Sequence, residues 1–573
     1  MILQIFALSN FTIYFKYFYW LNTYICQHLK SKIYVGIVIY FNLEYNFGME
    51  NKDLVISIDY GTQSVRVSII DKNGKFLAFE HVVYDEPYFS IKPGYCEQNP
   101  DYYYNCMCKA AKKLTSEHQD LLERCASISS TCFRDTAVYL DENYNVIRPS
   151  IIWLDQRQAA LIKKLPKLYS FLFDVVGMAD TVALNRKRTP AIWLQENEPE
   201  NYSKIKHYAP LNSYFNYRML GTLTDSASNM TGHFPINYKK KKRYSKNALK
   251  GIIFNIDPQL MPKIAPEGTV IGKITSKCNK ETGFPIGLNY ITTGNDKSCE
   301  ALGCGAINKK CAHISYGTGS SIAVVSERYF EPETFLPAYS TCFPGAYTAE
   351  VQIYRGYWML KWFLHEFGEK ENLEATIEKV APEEIFNEKI MQIRPGCDGL
   401  ILQPYWGPGL SRPLAKGSII GFYDVHTKYH IYRSIIEGIG YALKEGLDSI
   451  ERHGKLSVQY LTVSGGGSKS DAICQITSDL FNLPVYKSET YESSSLGCAM
   501  AQFVALGIYK DVEEAKDKMV RYVKKFTPNK LAVKEYKDLY NNIYIKVYPS
   551  LKNVYKALSD FKEKRDKEEI EVH

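Results

Sequence analysis

Apolar and polar residues alternate from Leu54 to Ile70 with one interruption, Tyr60-Gly61-Thr62-Gln63-Ser64, and a period of two broken by a turn predicts a β-hairpin. The pattern returns a domain's length later. Ala312 to Val325 again reads as strand, turn and strand, with Tyr316-Gly317-Thr318-Gly319-Ser320 at the reversal. A repeat at that distance is no solenoid unit and predicts two related halves. Each turn offers main-chain N–H groups and a hydroxyl, the equipment for holding phosphate oxygens. One such turn mostly just reverses the chain, whereas two of them predict a nucleotide in a cleft between domains.

Further on, Tyr460 to Val463 reads as a strand, Ser464-Gly465-Gly466-Gly467 as a turn, and Asp471 to Phe481 as a helix. Glycines let a ligand approach the backbone and a helix start is electropositive, so the turn suits a nucleotide. It lacks the Gly-Lys-Ser ending of a P-loop and the spacing of a dinucleotide fingerprint, and an ordinary strand-to-helix connection reads the same way. From His430 to Gly454, the residues Ile431, Ile435, Ile439, Leu443, Leu447 and Ile450 share one helical face, with Gly454 as the stop. Small residues at Gly497, Ala499 and Ala501 predict a close-packed helix beneath the nucleotide. Beyond Phe526 the Lys-, Glu- and Tyr-rich chain predicts terminal helices with a frayed, solvated end.

Length then sets the scale: 573 residues exceed one ordinary core. A charge of +8, from 70 basic and 62 acidic residues, is spread along the chain and predicts no nucleic-acid partner. The densest basic run, Lys239 to Arg243, reads as a solvated loop. Fourteen cysteines include no pair at zinc-knuckle spacing, Cys106 and Cys108 included, so they read as core residues in a reducing, cytoplasmic compartment. In the first 48 residues Glu44 is the only acid and Lys16, Lys30 and Lys32 the only strong bases. Their apolar stretches fall short of the ~20 residues of a spanning helix, no signal-peptide pattern is present, and no stable membrane association is expected. This extension is expected to be non-native or disordered, with the natural protein starting at Met49.

Taken in order, Asp59-Tyr60-Gly61-Thr62, Gly94-Tyr95-Cys96-Glu97-Gln98, Trp153-Leu154-Asp155-Gln156-Arg157, Gly294-Asn295-Asp296, Gly317-Thr318-Gly319-Ser320 and Gly465-Gly466-Gly467 resemble the motifs of the FGGY carbohydrate kinases. Gly417 to Phe422, with the helix from His430, resembles a further signature of that family. The resemblance covers about Asp53 to Gly507. It implies an α/β fold of two ribonuclease-H-like domains, as in actin-like ATPases, closing on a cleft. The domains would span 49–302, binding sugar and phosphate, and 303–525, binding nucleotide, followed by a helical tail at 526–573.

The resemblance also implies ATP-dependent phosphorylation of a hydroxyl of a small sugar or polyol, with Mg²⁺, and a homodimer is left open. Asp296 would accept the hydroxyl proton; as an Asp opening an Ala- and Leu-containing run it reads equally as a helix N-cap. Asp59 would contact Mg²⁺ through water. Gly61, Thr62 and Gln63 would hold phosphates from one side, Gly317, Thr318, Gly319 and Ser320 from the other, with Gly466 and Gly467 against adenosine. Arg134-Asp135-Thr136 falls where glycerol kinases have Arg-Glu-Thr and ketopentose (xylulose or ribulose) kinases Met-His-Gly. An adjacent Arg and Asp can grip neighbouring hydroxyls, or form an ion pair in what reads as a strand. Asp155 and Arg157 would close the same pocket. Lys297, where glycerol kinases carry Gln, is either a contact to an anionic or extra ligand oxygen or a solvated side chain. A non-catalytic sugar-binding regulator and a chaperone-like ATPase are the readings from other classes.

Overall fold

The computed structural model describes residues 52–245, 248–407, 409 and 412–572, so the expectations about residues 1–48 and a start at Met49 lie outside the described residues. The predicted hairpin forms from β1 (Leu54–Tyr60) and β2 (Ser64–Asp71), paired antiparallel from Leu54 opposite Asp71 to Tyr60 opposite Val65. β3 (Phe76–Val83) extends it. Helix α1 (Pro100–Glu117) then covers the sheet, its start fixed by Pro100 and by Asn99, whose side chain accepts from the Asp101 N–H. β4 (Cys125–Cys132) returns parallel to β1. After a long excursion, β5 (Val270–Lys273) and β6 (Asn289–Ile291) complete the order β5-β6-β4-β1-β2-β3. Helix α2 (Asp296–Gly303) leaves from β6.

The second half repeats this scheme. β7 (Cys311–Tyr316) and β8 (Ser320–Ser326) are antiparallel, and β9 (Tyr339–Ser340) and β10 (Tyr347–Ile353) extend them. Helix α3 (Lys428–Gly454) crosses over to β11 (Tyr460–Ser464), parallel to β7. α4 (Asp471–Phe481), β12 (Val485–Ser488), α5 (Ser493–Ala505) and β13 (Tyr522–Phe526) follow, giving the order β9-β10-β8-β7-β11-β12-β13. Strand for strand, β7, β8, β10, β11 and β12 take the places of β1, β2, β3, β4 and β6. The predicted α3 face is buried through Ile435, Ile439, Leu443, Leu447 and Ile450, and Ile431 packs at its margin.

Several details go beyond the sequence reading. α5 lies against α2 and the β1–β4 side of the first sheet: Gln502 donates to the Ile56 carbonyl (3.1 Å) and accepts from the Ser127 hydroxyl (2.8 Å). Where α2 and α5 cross, a Cβ on Gly497 would lie 1.8 Å from the Cys299 carbonyl oxygen and one on Gly303 2.0 Å from that of Ser493, so only glycine permits the approach. Beyond Phe526, α6 (Lys530–Leu539) and α7 (Ile545–Val572) are joined by a π-helical turn, and Tyr536, Tyr544 and Tyr555 are buried rather than solvated. Their rings carry the apolar area that the Lys-rich composition conceals. Lys239 to Arg243 forms the tip of a short hairpin in which Lys241 pairs with Glu267 (2.8 Å) and Arg243 donates to the Pro262 carbonyl (2.8 Å). No helix among the described residues is long and apolar enough to cross a membrane.

Candidate active site

At the first turn the Gly61 N–H donates to the Ser64 carbonyl (2.9 Å), closing the reversal between β1 and β2. Thr62 accepts from the Trp153 indole N–H (3.0 Å), which leaves the hydroxyl proton available to a ligand oxygen, and Gln63 is exposed. Asp59, one residue before the end of β1, is buried beside Arg66 (3.3 Å), and Arg66 also pairs with Glu492 (2.8 Å) at the start of α5. Burial pushes the Asp59 carboxyl up to about 7 against the pull of Arg66, and the negative charges of Glu492, Asp296 and Glu300 add to the rise.

The second turn, Gly317 to Ser320, is braced from two directions. The Tyr357 N–H donates to the Gly317 carbonyl (3.1 Å), and Gly356 lies so close that a Cβ there would meet the Ser320 hydroxyl at 2.1 Å. Gly465, at φ +79°, brings the glycine-rich turn against the Tyr316 carbonyl. A Cβ on Gly467 would meet the Tyr357 ring, while one on Gly466 would meet nothing within 4 Å, so Gly466 fronts open space. The Ser320 hydroxyl is buried without a partner among the described residues.

Asp296 opens α2, and the cap beneath it is Asn295, whose side chain accepts from the Ser298 N–H (3.1 Å) and donates to the Ser228 carbonyl (2.7 Å). The expectation that Asp296 itself might cap the helix therefore falls to its neighbour. The Asp296 carboxylate accepts the Lys297 N–H (2.8 Å) and no side-chain donor among the described residues. Burial raises its pKa above the usual value, opposed by Lys297 and Arg134. Lys297 does not point into solvent. Its ammonium donates to Glu300 (2.9 Å) and to the Ser315 hydroxyl (2.6 Å) on β7, and stands 3.7 Å from where a Gly317 Cβ would be. Behind it Ser464 donates to Glu300, and His313 contacts Ser464 (3.0 Å) and Thr462 (3.2 Å).

The expected acceptor residues are distributed differently from the sequence reading. Arg134 and Asp135 lie in a loop after β4, Asp135 at φ +56°, rather than in a strand. They do not act as a pair. Arg134 forms a bidentate bridge to Glu350 on β10 (2.5 and 2.9 Å), crossing from one half to the other, and Asp135 accepts from the His233 main-chain N–H (2.8 Å) and lies against its ring. Asp155 and Arg157 are bound to each other (2.8 Å), with Arg157 also on Glu97 (2.7 Å) and stacked between the Tyr95 and Trp193 rings. Asp155 further accepts the Cys96 N–H (2.6 Å), so the Gly94 to Gln98 and Trp153 to Arg157 motifs are joined into one hydrogen-bonded cluster.

Sequence reasoning missed Glu300, Glu350 and His313. Glu300 was within reach as the carboxylate one turn after Asp296 on the same helix face. Glu350 lies on the polar face of β10 with Thr348 and Gln352, where a charge is ordinary and names no partner. His313, inside the alternating strand β7, reads as a simple core residue.

Known proteins match the chain along both halves. Residues 54–303 match the N-terminal domain, and residues 312–506 the C-terminal domain, of the FGGY family of carbohydrate kinases. A xylulose kinase of Bacillus subtilis is 28% identical over 516 residues, covering 89% of this chain and 99% of its own. Among solved structures, xylulose kinase from Rhodospirillum rubrum superposes with a TM-score of 0.73 at 21% identity, over 88% of this chain and all of that one. Gluconate kinase from Lactobacillus acidophilus superposes at 0.71 and 21%, over 88% and 99%.

Proposed function

The chain belongs to the FGGY family of carbohydrate kinases, and on that premise we propose that Asp296 is the base in transfer of the ATP γ-phosphoryl group to a hydroxyl of a small sugar or polyol. One observation carries the reading: the Asp296-Lys297 pair stands between the two Gly-Thr turns, Asp296 close enough to raise the pKa of Asp59 at the first, and Lys297 beside Gly317 at the second. A phosphoryl group held by both turns would lie next to the one carboxylate there that is free of a side-chain partner.

The residues fit Mg-ATP. Asp59 is a single carboxylate beside a phosphate turn, as an ion that keeps most of its waters requires. The unpartnered Ser320 hydroxyl and the open face at Gly466 supply a phosphate donor and room for adenosine. When bound, Mg²⁺ would neutralise charge on the phosphates. The protein's share is alignment and proton transfer: Gly61 to Gln63 and Gly317 to Ser320 fix the phosphate chain, and Asp296 takes the hydroxyl proton as the new P–O bond forms. Its burial favours the proton-accepting task, because a desolvated carboxylate is a stronger base.

For the acceptor, Arg134 is one of the two cations whose charge acts on Asp296, and its own charge is matched by Glu350. That supports a neutral polyhydroxy acceptor, either a short polyol or a ketopentose such as the one the Bacillus subtilis relative is named for. The thirteen described cysteines form no disulfide among themselves, which supports a reducing compartment, the cytoplasm. The test is ADP release by purified protein across glycerol, tetritols, ketopentoses, hexonates and linear deoxy-ketoses. Phosphorylation of at least one, abolished in Asp296→Asn, is expected; no acceptor-dependent ADP release from any of them would overturn the reading.

A further inference from the structure

Most buried and half-buried arginines among the described residues have an acceptor. Arg66, Arg134, Arg157, Arg218, Arg412 and Arg433 pair with carboxylates. Arg186 and Arg243 donate to main-chain carbonyls instead. Arg355 is the exception. It is half-buried, its guanidinium lies over the Trp358 ring at 5.0 Å, and no carboxylate, hydroxyl or carbonyl among the described residues accepts from its five N–H groups. Burial lowers its pKa, and the only groups that act against this are Cys96 and Tyr88. Its partly exposed N–H groups are left for water or for an incoming acceptor.

Its position says what kind. Arg355 follows β10 directly, in the segment that braces the second phosphate turn: Gly356 packs on Ser320, and the main-chain N–H groups of Tyr357 and Trp358 donate to the carbonyls of Gly317 and Thr318 (3.1 and 3.4 Å). Cys96 and Tyr88 belong to the other half, and the contact of Gly356 with Ser320 sets Arg355 beside the second Gly-Thr turn. The two cations nearest Asp296 are already neutralised, Arg134 by Glu350 and Lys297 by Glu300. An oxyanion entering the cleft therefore finds one uncommitted fork of donors there, and a planar fork of N–H groups is matched to phosphate and carboxylate oxygens.

We propose that Arg355 is an anion-contacting residue of the cleft, binding an oxyanion of the substrate pair. This rests on the kinase reading above. Two sources share the chemistry: the γ-phosphoryl group of the nucleotide and, in place of the neutral acceptor proposed above, the carboxylate of an acidic one such as an aldonate. Trp358 holds the guanidinium in plane and limits the rotamer freedom it would lose on binding.

The test compares wild type, Arg355→Ala and Arg355→Lys, in the full chain, each checked for an unchanged melting temperature. Calorimetry gives the affinity for ADP and for a non-hydrolysable ATP analogue with Mg²⁺, and coupled assays give kcat/KM for neutral and acidic acceptors. A tenfold or greater loss of affinity for the ATP analogue with ADP unchanged in Arg355→Ala, partly restored in Arg355→Lys, identifies the γ-phosphoryl group. A tenfold loss of kcat/KM confined to aldonates identifies the carboxylate. Values within twofold of wild type in every arm overturn the proposal. Because calorimetry needs no turnover, it still tests Arg355 if no acceptor supports ADP release, so failure of the kinase reading is seen separately. Should Arg355→Ala unfold, Arg355→Gln replaces it, keeping bulk and removing charge.

Discussion

Lys297 and Glu300 lie one turn apart on α2, ammonium to carboxylate at 2.9 Å, and the same ammonium reaches the Ser315 hydroxyl on β7. A helix of the first half is thereby tied to the strand that leads into the second Gly-Thr turn. Replacing Lys297 by Met strands Glu300 as a buried charge, and the expected cost is about 3 kcal/mol of stability. The double variant Lys297→Met, Glu300→Gln should recover most of it. Denaturant unfolding measures both, and equal stability of the two variants would contradict the pairing.

Asp296→Asn should reduce turnover by at least a hundredfold, the ordinary contribution of a positioned base, while ATP affinity stays within threefold. Retention of a tenth of wild-type turnover would remove Asp296 from the role. Because burial raises its pKa, kcat/KM should fall on acidification with a midpoint above the 3.8 of an ordinary aspartate.

Stability should decline on mild acidification for a reason centred on His313. Burial holds its pKa down at about 4 against an ordinary 6.5, despite the attraction of Glu300. An unfolded chain protonates this histidine below pH 6.5 and the folded chain does not until about pH 4. The stability it contributes is therefore intact above 6.5 and lost between 6.5 and 4. Below that, Glu300 takes over: burial would raise its pKa, but Lys297 and the serine hydroxyls hold it below the ordinary value. Unfolding curves at stepped pH should show a shallower slope between 6.5 and 4 in His313→Gln.

Arg134 and Glu350 should respond alike. Removing either leaves the other as a buried charge between the halves, so Arg134→Ala and Glu350→Ala should each depress kcat/KM for the acceptor far more than for ATP. A steady-state comparison in which Glu350→Ala leaves acceptor use unchanged would make the bridge purely structural.

Gly497→Ala and Gly466→Ala should separate folding from binding. The first forces a methyl into the Cys299 carbonyl and should cost about 3 kcal/mol. The second meets nothing in the protein, so melting should be unchanged while nucleotide affinity falls. The reverse pattern would misplace the nucleotide.

The two hairpins and their turns were legible because alternation and Gly-Thr reversals are local, and one stretch of chain carries the whole signal. The helices Asp471–Phe481 and Lys428–Gly454 were readable for the same reason. Arg134 was singled out from its motif, but its partner was not, because the bond to Glu350 spans 216 residues and nothing near either residue encodes it. Asp155 and Arg157 show the converse: both were taken for ligand contacts, yet a guanidinium flanked by two aromatic rings and two carboxylates is satisfied by the protein itself. Local pattern finds charged residues, and only the assembled fold shows which of them are already spent.

Gln502 joins α5 to the Ile56 carbonyl, 446 residues back along the chain. During synthesis the first half emerges whole long before the helix that underlies its central strand exists. Val55 and Ile70, which end up against Leu496, Met500 and Phe503, must wait uncovered for most of the ribosome's passage along the message. This protein therefore has a long vulnerable interval at birth, in which that apolar face is open to chaperones or to other nascent chains. Slowing translation between the codons for Gly303 and Ser493 should lower the yield of soluble protein without changing a single residue of it.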